Sequence, residues 1–213
     1  MIIAVDGPAA SGKGTVARAL AKHYRLPHLD TGLLYRAVAE NVHRLDLDPT
    51  KEADAVAASN FEDSLLDDPV LRSDEAGQRA SIVSAHPLIR AALLQRQRKF
   101  AHQEGGAVLD GRDIGTVIAP DADAKLFVKA TPQIRARRRH AELKAQGSML
   151  SLDKVLADIR ARDQRDMGRD AAPLVMATDA GILDTSFLSI EAAVKRAIEL
   201  VDRQVQLRAA ANR

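Results

Sequence analysis

Residues 2–24 read IIAVDGPAASGKGTVARALAKHY, in which an apolar segment typical of a strand leads into a glycine-rich loop and then into a segment with helical spacing. Glycines and small side chains let the backbone wrap an anion closely, so that successive N–H groups face phosphate oxygens. A helix that begins near Lys13 adds the positive end of its dipole, and the lysine ammonium reaches the outer phosphates. The sequence therefore predicts a phosphate-binding loop.

The loop departs by one residue from the pattern G-x-x-x-x-G-K-[ST], because Gly14 stands between Lys13 and Thr15. A Ser or Thr hydroxyl at this point normally helps to hold magnesium, so Thr15 is a candidate metal ligand. The form GKGT is typical of nucleoside monophosphate kinases. The loop residues predicted to contact nucleotide phosphates are Gly7, Pro8, Ala9, Ala10, Ser11, Gly12, Lys13, Gly14 and Thr15.

Four further apolar segments alternate with helical spacing, which predicts an α/β fold with a mostly parallel sheet. The predicted strands are 2–6, 27–30, 107–110, 124–129 and 182–184. The predicted helices are 13–24, 32–44, 88–103, 132–146, 152–166 and 189–207. Four of the five strands end in aspartate, at the edge where such sheets bind ligands. Residues 45–80 fit the alternation poorly and are expected to form a small protruding subdomain, and residues 147–151 resemble a mobile lid.

Composition excludes several classes of protein. The 213 residues include no cysteine, which removes disulfide scaffolds, thiolate zinc sites and cysteine nucleophiles. No apolar run approaches the ~18 residues of a membrane helix, and the first apolar segment lacks a basic leader, so we expect a cytoplasmic protein. Residues 46–75 carry a net charge of −8 and residues 133–169 a net charge of +5. The basic segment indicates an anionic partner, either phosphate or nucleic acid.

Several residues beyond the loop are candidates for function. Thr31 is placed either as a helix N-cap or as a ligand contact, and Arg36 follows on the same helix near the predicted cleft. Asp110 ends a buried strand, where an unpaired carboxylate is costly, so magnesium or metal-bound water is its expected partner. Arg112 and Asp113 follow on a glycine-flanked turn, where they either pair with each other or contact a ligand.

Taken together, five segments resemble the bacterial cytidylate kinase family over nearly the whole chain. They are GPAASGKGT (7–15), HLDTGLLYR (28–36), ASIVSAHPLIRAALLQRQRKFA (80–101), VLDGRDIGTVI (108–118) and RARDQRDMGRDAAPL (160–174). The resemblance implies a three-layer P-loop fold with a five-stranded parallel sheet. It also implies a division into a core (about 1–37, 96–145 and 170–213), a monophosphate-binding insertion (about 38–95) and a lid (about 146–169). The insertion is shorter here than in many members of the family.

The resemblance implies transfer of a phosphoryl group from ATP to CMP or dCMP, with Mg²⁺ as the cofactor, in a monomeric protein. Its implied catalytic residues are Lys13, Arg162 and Arg169. Residues 7–15 and Arg138 would contact ATP, and Thr15 and Asp110 would hold the metal. The implied acceptor-binding residues are Thr31, Arg36, Ser81, Arg90, Arg112, Asp113, Asp166 and Arg169.

Ser81, Arg90 and Asp113 would read cytosine. Cytosine offers acceptors at O2 and N3 and a donor amine at N4, so arginine can donate to it while Asp113 and Ser81 accept. Uracil reverses this polarity and would leave buried groups unpaired.

Arginine positions on the two basic helices extend this prediction. Arg135, Arg138 and Arg139 recur at helical spacing and would flank ATP, unless they form a solvated face. Arg165, like Arg162 and Arg169, lies at a helix end that would swing over both nucleotides.

Two alternatives to a kinase for CMP stay open. The first is a P-loop kinase for another monophosphate such as UMP or AMP. The second is a P-loop regulator whose basic segment binds nucleic acid. No aromatic residue interleaves with the arginines of 135–139, so single-stranded nucleic acid is poorly supported and we expect no nucleic-acid partner.

Overall fold

The computed structural model describes residues 1–211 and contains one five-stranded sheet in which every neighbouring pair is parallel. The strand order is β2-β3-β1-β4-β5. The strands are β1 (Ile2–Asp6), β2 (His28–Asp30), β3 (Ala107–Gly111), β4 (Ala124–Lys129) and β5 (Gly181–Asp184). The five predicted strands and the parallel α/β sheet are confirmed.

Eight α-helices connect and cover the strands in the described part of the chain. They are α1 (Lys13–Tyr24), α2 (Thr31–Arg44), α3 (Glu52–Ala57), α4 (Asp74–Val83), α5 (Pro87–Ala101), α6 (Pro132–Ala145), α7 (Leu152–Gly168) and α8 (Ile190–Ala211). Two short 3₁₀ segments, Asp63–Asp67 and Pro69–Arg72, lie in the acidic region, and a π-helical turn, Ile114–Ile118, follows β3. None of the helices that the structure describes is long and apolar enough to cross a membrane.

The core lies on both faces of the sheet. On one face, β1 and β4 pack against α1 and α8 through residues such as Val5, Leu20 and Val201, all buried. A second apolar cluster joins α2 to α3, α4 and α5, with Leu34 and Ile89 fully buried. The acidic segment, residues 46–75, is therefore organised around α2, which begins at the carboxyl edge of the sheet.

The start of α2 differs from the expected cap. Asp30, not Thr31, is the N-cap residue, and its carboxylate accepts a hydrogen bond of 3.0 Å from the Gly32 amide. Thr31 is the first helical residue, and its hydroxyl donates to the Asp110 carbonyl at 2.9 Å. Since Asp caps as well as Thr, local sequence did not decide between the two adjacent residues.

The buried centre of β3 generates a stability prediction. Leu109 is fully buried, so Leu109→Ala leaves a cavity and lowers the free energy of unfolding by about 2–5 kcal/mol. Urea unfolding measures the change. Leu207→Ala, at a leucine 61% exposed on α8, is the control and should cost no more than about 0.5 kcal/mol. Equal losses in the two variants would contradict this packing.

Candidate nucleotide-binding site

The loop between β1 and α1 has the shape that its glycines predict. A Cβ on Gly7 would lie 2.1 Å from the Val128 carbonyl oxygen, so only glycine allows β1 to leave the sheet here. Gly12 has a φ of 87° and precedes α1 without a side-chain cap, and Ala10 also has a positive φ of 57°. The uncapped amides at the start of α1 are the donors that an anion would accept from.

Two side chains outside the loop hold its shape. Arg135 on α6 donates to the Ala9 carbonyl at 3.1 Å and forms a two-bond ion pair with Asp163 on α7. Thr185, just after β5, donates to the Ser11 carbonyl at 2.8 Å. The loop is thus tied to α6 and to the segment that follows β5.

These contacts divide the arginines of α6 by role. Arg138 donates to the Thr185 hydroxyl at 3.0 Å and lines the space beside the loop, where it was expected. Arg135 is buried, and its guanidinium group donates hydrogen bonds to acceptors within the protein. The expectation that it flanks ATP is therefore wrong. Arg139 pairs with Asp74 at 2.8 Å, across the cleft on α4. Helical spacing identified the basic side chains but not their partners.

A groove of about 610 Å³ opens beside the loop. Its polar end contains Lys13, Thr15 and Arg138. Its apolar wall is formed by Ala141, Leu188, Ile190 and Ala193, among others. The sequence analysis did not predict the part of this wall that follows β5. The one sequence feature that points to it is the polar Asp184-Thr185 pair at the end of that strand.

Lys13 lies between this groove and the neighbouring strand ends. Burial, together with repulsion from the nearby Arg112 guanidinium, lowers the pKa of Lys13 to about 8. A Cβ on Gly14 would lie 3.9 Å from both carboxylate oxygens of Asp110, so the loop passes directly over that carboxylate. His28 Nε2 donates a hydrogen bond of 2.8 Å to the Asp110 carboxylate, and this bond uses only Oδ2.

The donor set near Gly14 fits a magnesium ion bound together with a nucleotide. Mg²⁺ prefers oxygen ligands and usually takes one or two from the protein, with phosphates and water completing its shell. Thr15 and Asp110 supply that number, and Asp110 Oδ1 has no hydrogen-bond partner among residues 1–211. No cluster of three acidic or histidine side chains within the described chain offers a complete cage.

A second pocket, which we call the acceptor chamber, lies between the ends of β2 and β3 and helices α2, α4, α5 and α7, with a cavity volume of about 50 Å³. Four arginines and three aspartates line it, along with Thr31 and Tyr35. The charged residues are Asp30, Arg90, Arg112, Asp113, Arg162, Asp166 and Arg169. Its walls therefore carry more positive than negative charge, as an anion site requires.

Arg112 and Asp113 do not pair with each other. Arg112 donates to Asp166 at 2.7 Å, which ties the turn after β3 to α7. Burial alone would raise the pKa of Asp166. The pKa is nevertheless lowered overall, because Arg112 and Arg162 stabilise the negative charge of the carboxylate.

Arg162 has no ion pair with any described residue, and its Nε is buried without a hydrogen-bond partner. Burial, and then repulsion from Arg112, lowers the pKa of Arg162 to about 10. An incoming anion would relieve both penalties. Arg165, the third arginine named for this helix end, is exposed and does not line the chamber.

The opposite end of the chamber is built around Asp113. Its carboxylate accepts a short hydrogen bond from Arg90, whose guanidinium lies 5.4 Å from the centre of the Tyr35 ring. Arg169 Nη2 lies 3.8 Å from the other Asp113 oxygen, without a hydrogen bond of its own. Sequence reasoning missed Tyr35, since an aromatic residue one turn into a helix resembles core.

Ser81 and Arg36 lie next to the chamber rather than among its lining residues. Ser81 is 3% exposed, and its hydroxyl has no hydrogen-bond partner in the described structure. An unsatisfied buried hydroxyl of this kind is costly and is expected to find a partner when a ligand binds. Arg36 donates to the carbonyls of Leu71 and Ser73 at 2.7 and 3.0 Å, which occupies one of its terminal nitrogens.

A loop that offers amides to one polyanion and an adjacent cationic chamber for a second define a P-loop phosphotransferase. The comparisons refine this class. A family profile described as cytidylate kinase matches residues 3–203. The chain belongs to the cytidylate kinase family.

Named relatives agree with this assignment. The cytidylate kinase of Cereibacter sphaeroides is 57% identical over 208 residues, covering 96% of this chain and 97% of that protein. The cytidylate kinase of Xanthobacter autotrophicus is 56% identical over 202 residues, covering 95% and 97%. Among solved structures, an uncharacterized protein from Eubacterium ventriosum aligns with a TM-score of 0.57 at 22% identity, over 95% of this chain and 98% of that one, and shows the fold.

The unpaired charge in the acceptor chamber generates an anion-binding prediction. Saturating inorganic phosphate should raise the melting temperature by several degrees, at about 2–4 °C per kcal/mol for a chain of this size. Arg162→Gln should cut that shift by about half, because a charge-assisted contact is lost. Arg160→Gln, an exposed arginine on the same helix, should leave the shift unchanged. Differential scanning fluorimetry measures all three, and an equal shift in all three proteins contradicts the assignment.

Proposed function

We propose that the protein transfers the γ-phosphoryl group of ATP to CMP and dCMP, giving ADP and CDP or dCDP. The observation that carries the proposal is the acceptor chamber, in which unsatisfied donors and acceptors lie next to a surplus of guanidinium groups. Its family membership supports the same reaction.

Ser81, Arg90 and Asp113 read the cytosine ring in this proposal. The free Ser81 hydroxyl and the Asp113 carboxylate accept from the N4 amine, and Arg90 donates toward N3 or O2. Arg90 and Asp113 already orient each other, so they lose little freedom when the base enters. A uracil ring would present an acceptor where Asp113 needs a donor.

The phosphate of the acceptor nucleotide lies toward Lys13, where the guanidinium groups of Arg36, Arg112 and Arg162 meet. Thr31 lies at the same end, at the start of α2. Asp166 and Arg169 contact the ribose and the adjoining phosphate oxygens. The Arg112–Asp166 ion pair joins the turn after β3 to α7, and so couples the proposed phosphate contacts to the proposed ribose contacts.

ATP occupies the groove, with its phosphates on residues 7–15 and Arg138 and its base against the apolar wall after β5. Thr15 and Asp110, directly or through water, would hold Mg²⁺. When bound, this ion neutralises charge on the β- and γ-phosphates.

Lys13, Arg162 and Arg169 are the proposed catalytic residues. The attacking group is a phosphate oxygen that is already ionised at pH 7, so no general base is needed. What the chain must supply is alignment and positive charge around the transferring group. Lys13 approaches it from the donor side, while Arg162 and Arg169 approach from α7.

The organisation into a core, an insertion (about 38–95) and a lid (about 146–169) belongs to the same proposal. Closure of the lid would exclude water and suppress hydrolysis of ATP. We expect a monomer in the cytoplasm, where ATP and nucleoside monophosphates are available.

The reaction is tested by coupled assays with ATP and each of CMP, dCMP, UMP and AMP. We expect CMP and dCMP to be the preferred acceptors. A preference for UMP or AMP would assign the chamber to another base. Salt-dependent binding of DNA or RNA without any nucleotide product would support a nucleic-acid-binding regulator and contradict the proposal.

A pH dependence follows from Lys13. Because the pKa of its ammonium is about 8 in the free protein, Lys13 loses its proton as pH rises through 8, and kcat/KM for ATP should fall there. At saturating ATP the phosphates stabilise the ammonium, so kcat should stay constant to higher pH.

Lys13→Ala should lower kcat by about 10²–10³-fold. Lys22→Ala, at an exposed lysine on the same helix, should match the wild type.

Steady-state profiles from pH 6 to 10 would measure both parameters. A kcat/KM for ATP that stays flat through pH 10, or a Lys13→Ala variant with normal kcat, contradicts the role assigned to this side chain.

Base selectivity follows from Asp113. Asp113→Asn replaces an acceptor oxygen by an amide that can donate to uracil O4, so the ratio of kcat/KM for CMP to that for UMP should fall at least about tenfold. KM for ATP should remain within about twofold, since Asp113 does not line the groove. An unchanged CMP-to-UMP ratio would show that Asp113 does not read the base.

A further inference from the structure

Asp6, the last residue of β1, makes two buried hydrogen bonds that the proposed reaction does not use. Its carboxylate is 5% exposed. Oδ1 accepts from the Ile114 amide at 2.8 Å, and Oδ2 accepts from the Gly115 amide at 2.8 Å. These are the first two amides of the π-helical turn Ile114–Ile118.

The turn has Asp113 as its N-cap residue, yet the Asp113 side chain makes no capping bond. An aspartate at this position commonly folds back onto the free amides of the following turn. Here Asp6 satisfies those amides from a different strand. The Asp113 carboxylate is left to pair with Arg90 and to face the acceptor chamber.

Asp6 also lies at the junction of the two ligand sites. It pairs in register with Gly111 of β3, immediately before Arg112 and Asp113, and it is followed in the chain by Gly7 of the phosphate loop. A single rigid carboxylate therefore fixes the turn that would read the base relative to the loop that would hold the donor phosphates.

The choice of a carboxylate carries a cost in the folded protein. Burial raises the pKa of Asp6 to about 7, in spite of the two amide bonds that lower it. An isosteric asparagine would avoid that cost but would turn its own NH₂ toward one of the two amides. Only a carboxylate offers two acceptors in this geometry.

We propose that Asp6 is a positioning residue for base selectivity: by capping the turn Ile114–Ile118 it frees the Asp113 carboxylate and holds it at the acceptor base. The inference rests on the proposed function, because it assigns selectivity to the chamber that Asp113 lines. Asp6 itself does not line that chamber and acts through the turn.

Asp6→Asn and Asp6→Ala test this role against a matched control at the other end of the same strand. Asp123 Oδ2 accepts from the Ile2 amide at 2.7 Å, so Asp123→Asn makes the same chemical change far from the chamber. We expect Asp6→Asn to lower the CMP-to-UMP ratio of kcat/KM at least about fivefold, and Asp6→Ala to lower it further. KM for ATP should change by no more than about twofold, and Asp123→Asn should keep the wild-type ratio.

The CMP-to-UMP ratio of kcat/KM for the wild type, measured in the same series, distinguishes a failure of the proposed function from a failure of the inference about Asp6. If the wild type does not prefer CMP, the proposed function fails. If it does, and the Asp6 variants keep the same ratio while only their stability falls, Asp6 is structural and the inference is wrong.

Hydrogen exchange on the wild type keeps the test valid if the Asp6 variants do not fold. The Ile114 and Gly115 amides should exchange at least about 10²-fold more slowly than unprotected amides, because both are held by a buried acceptor. Exchange at the rate of an open loop would show that Asp6 does not cap the turn, and would overturn the inference.

Discussion

Electrostatic repulsion among arginines at one edge of the sheet shapes the acceptor chamber. Parallel strands bring their carboxyl ends to the same edge, and helices α5 and α7 add guanidinium groups there. Three aspartates offset only part of that charge in the acceptor chamber, and Arg162 pairs with none of them. In the proposed function, the phosphate of the acceptor nucleotide completes the balance.

The chain manages this repulsion by fixing the side chains that surround the unpaired ones. Arg112 is held by Asp166 and Arg90 by Asp113, so each of these two guanidinium groups has a set direction. Arg135 and Asp163 form a further buried pair that joins α6, α7 and the phosphate loop. Preorganised charge of this kind loses little energy to rearrangement when phosphates arrive.

Sequence patterns predicted the sheet and the loop well because both depend on local features. An apolar strand, glycines and a lysine in register are enough to specify the loop before α1. Residues whose role depends on a distant partner were harder. Arg135 has the spacing of a ligand contact but finds Asp163, 28 positions away, and Asp6 caps a turn 108 positions away.

Local alternatives of similar energy also limited the predictions. Asp30 and Thr31 are adjacent and both cap helices well, and the fold used Asp30 because the Thr31 hydroxyl is taken by the Asp110 carbonyl. Thr185 and Leu188 lie in the connection after β5, which carries no motif, and Ile190 and Ala193 of the groove's apolar wall follow at the start of α8. Ser81 and Arg36 lie beside the acceptor chamber, and their contacts with a nucleotide stay predictions.

In the proposed reaction, two polyanions meet end to end above Lys13. Calorimetry with cytidine and adenosine joined through a polyphosphate bridge tests this arrangement. We expect one molecule bound per chain, at least about 10²-fold tighter than either CMP or ATP and displaced by both. Binding of two molecules per chain, or displacement by only one of the two nucleotides, would contradict it.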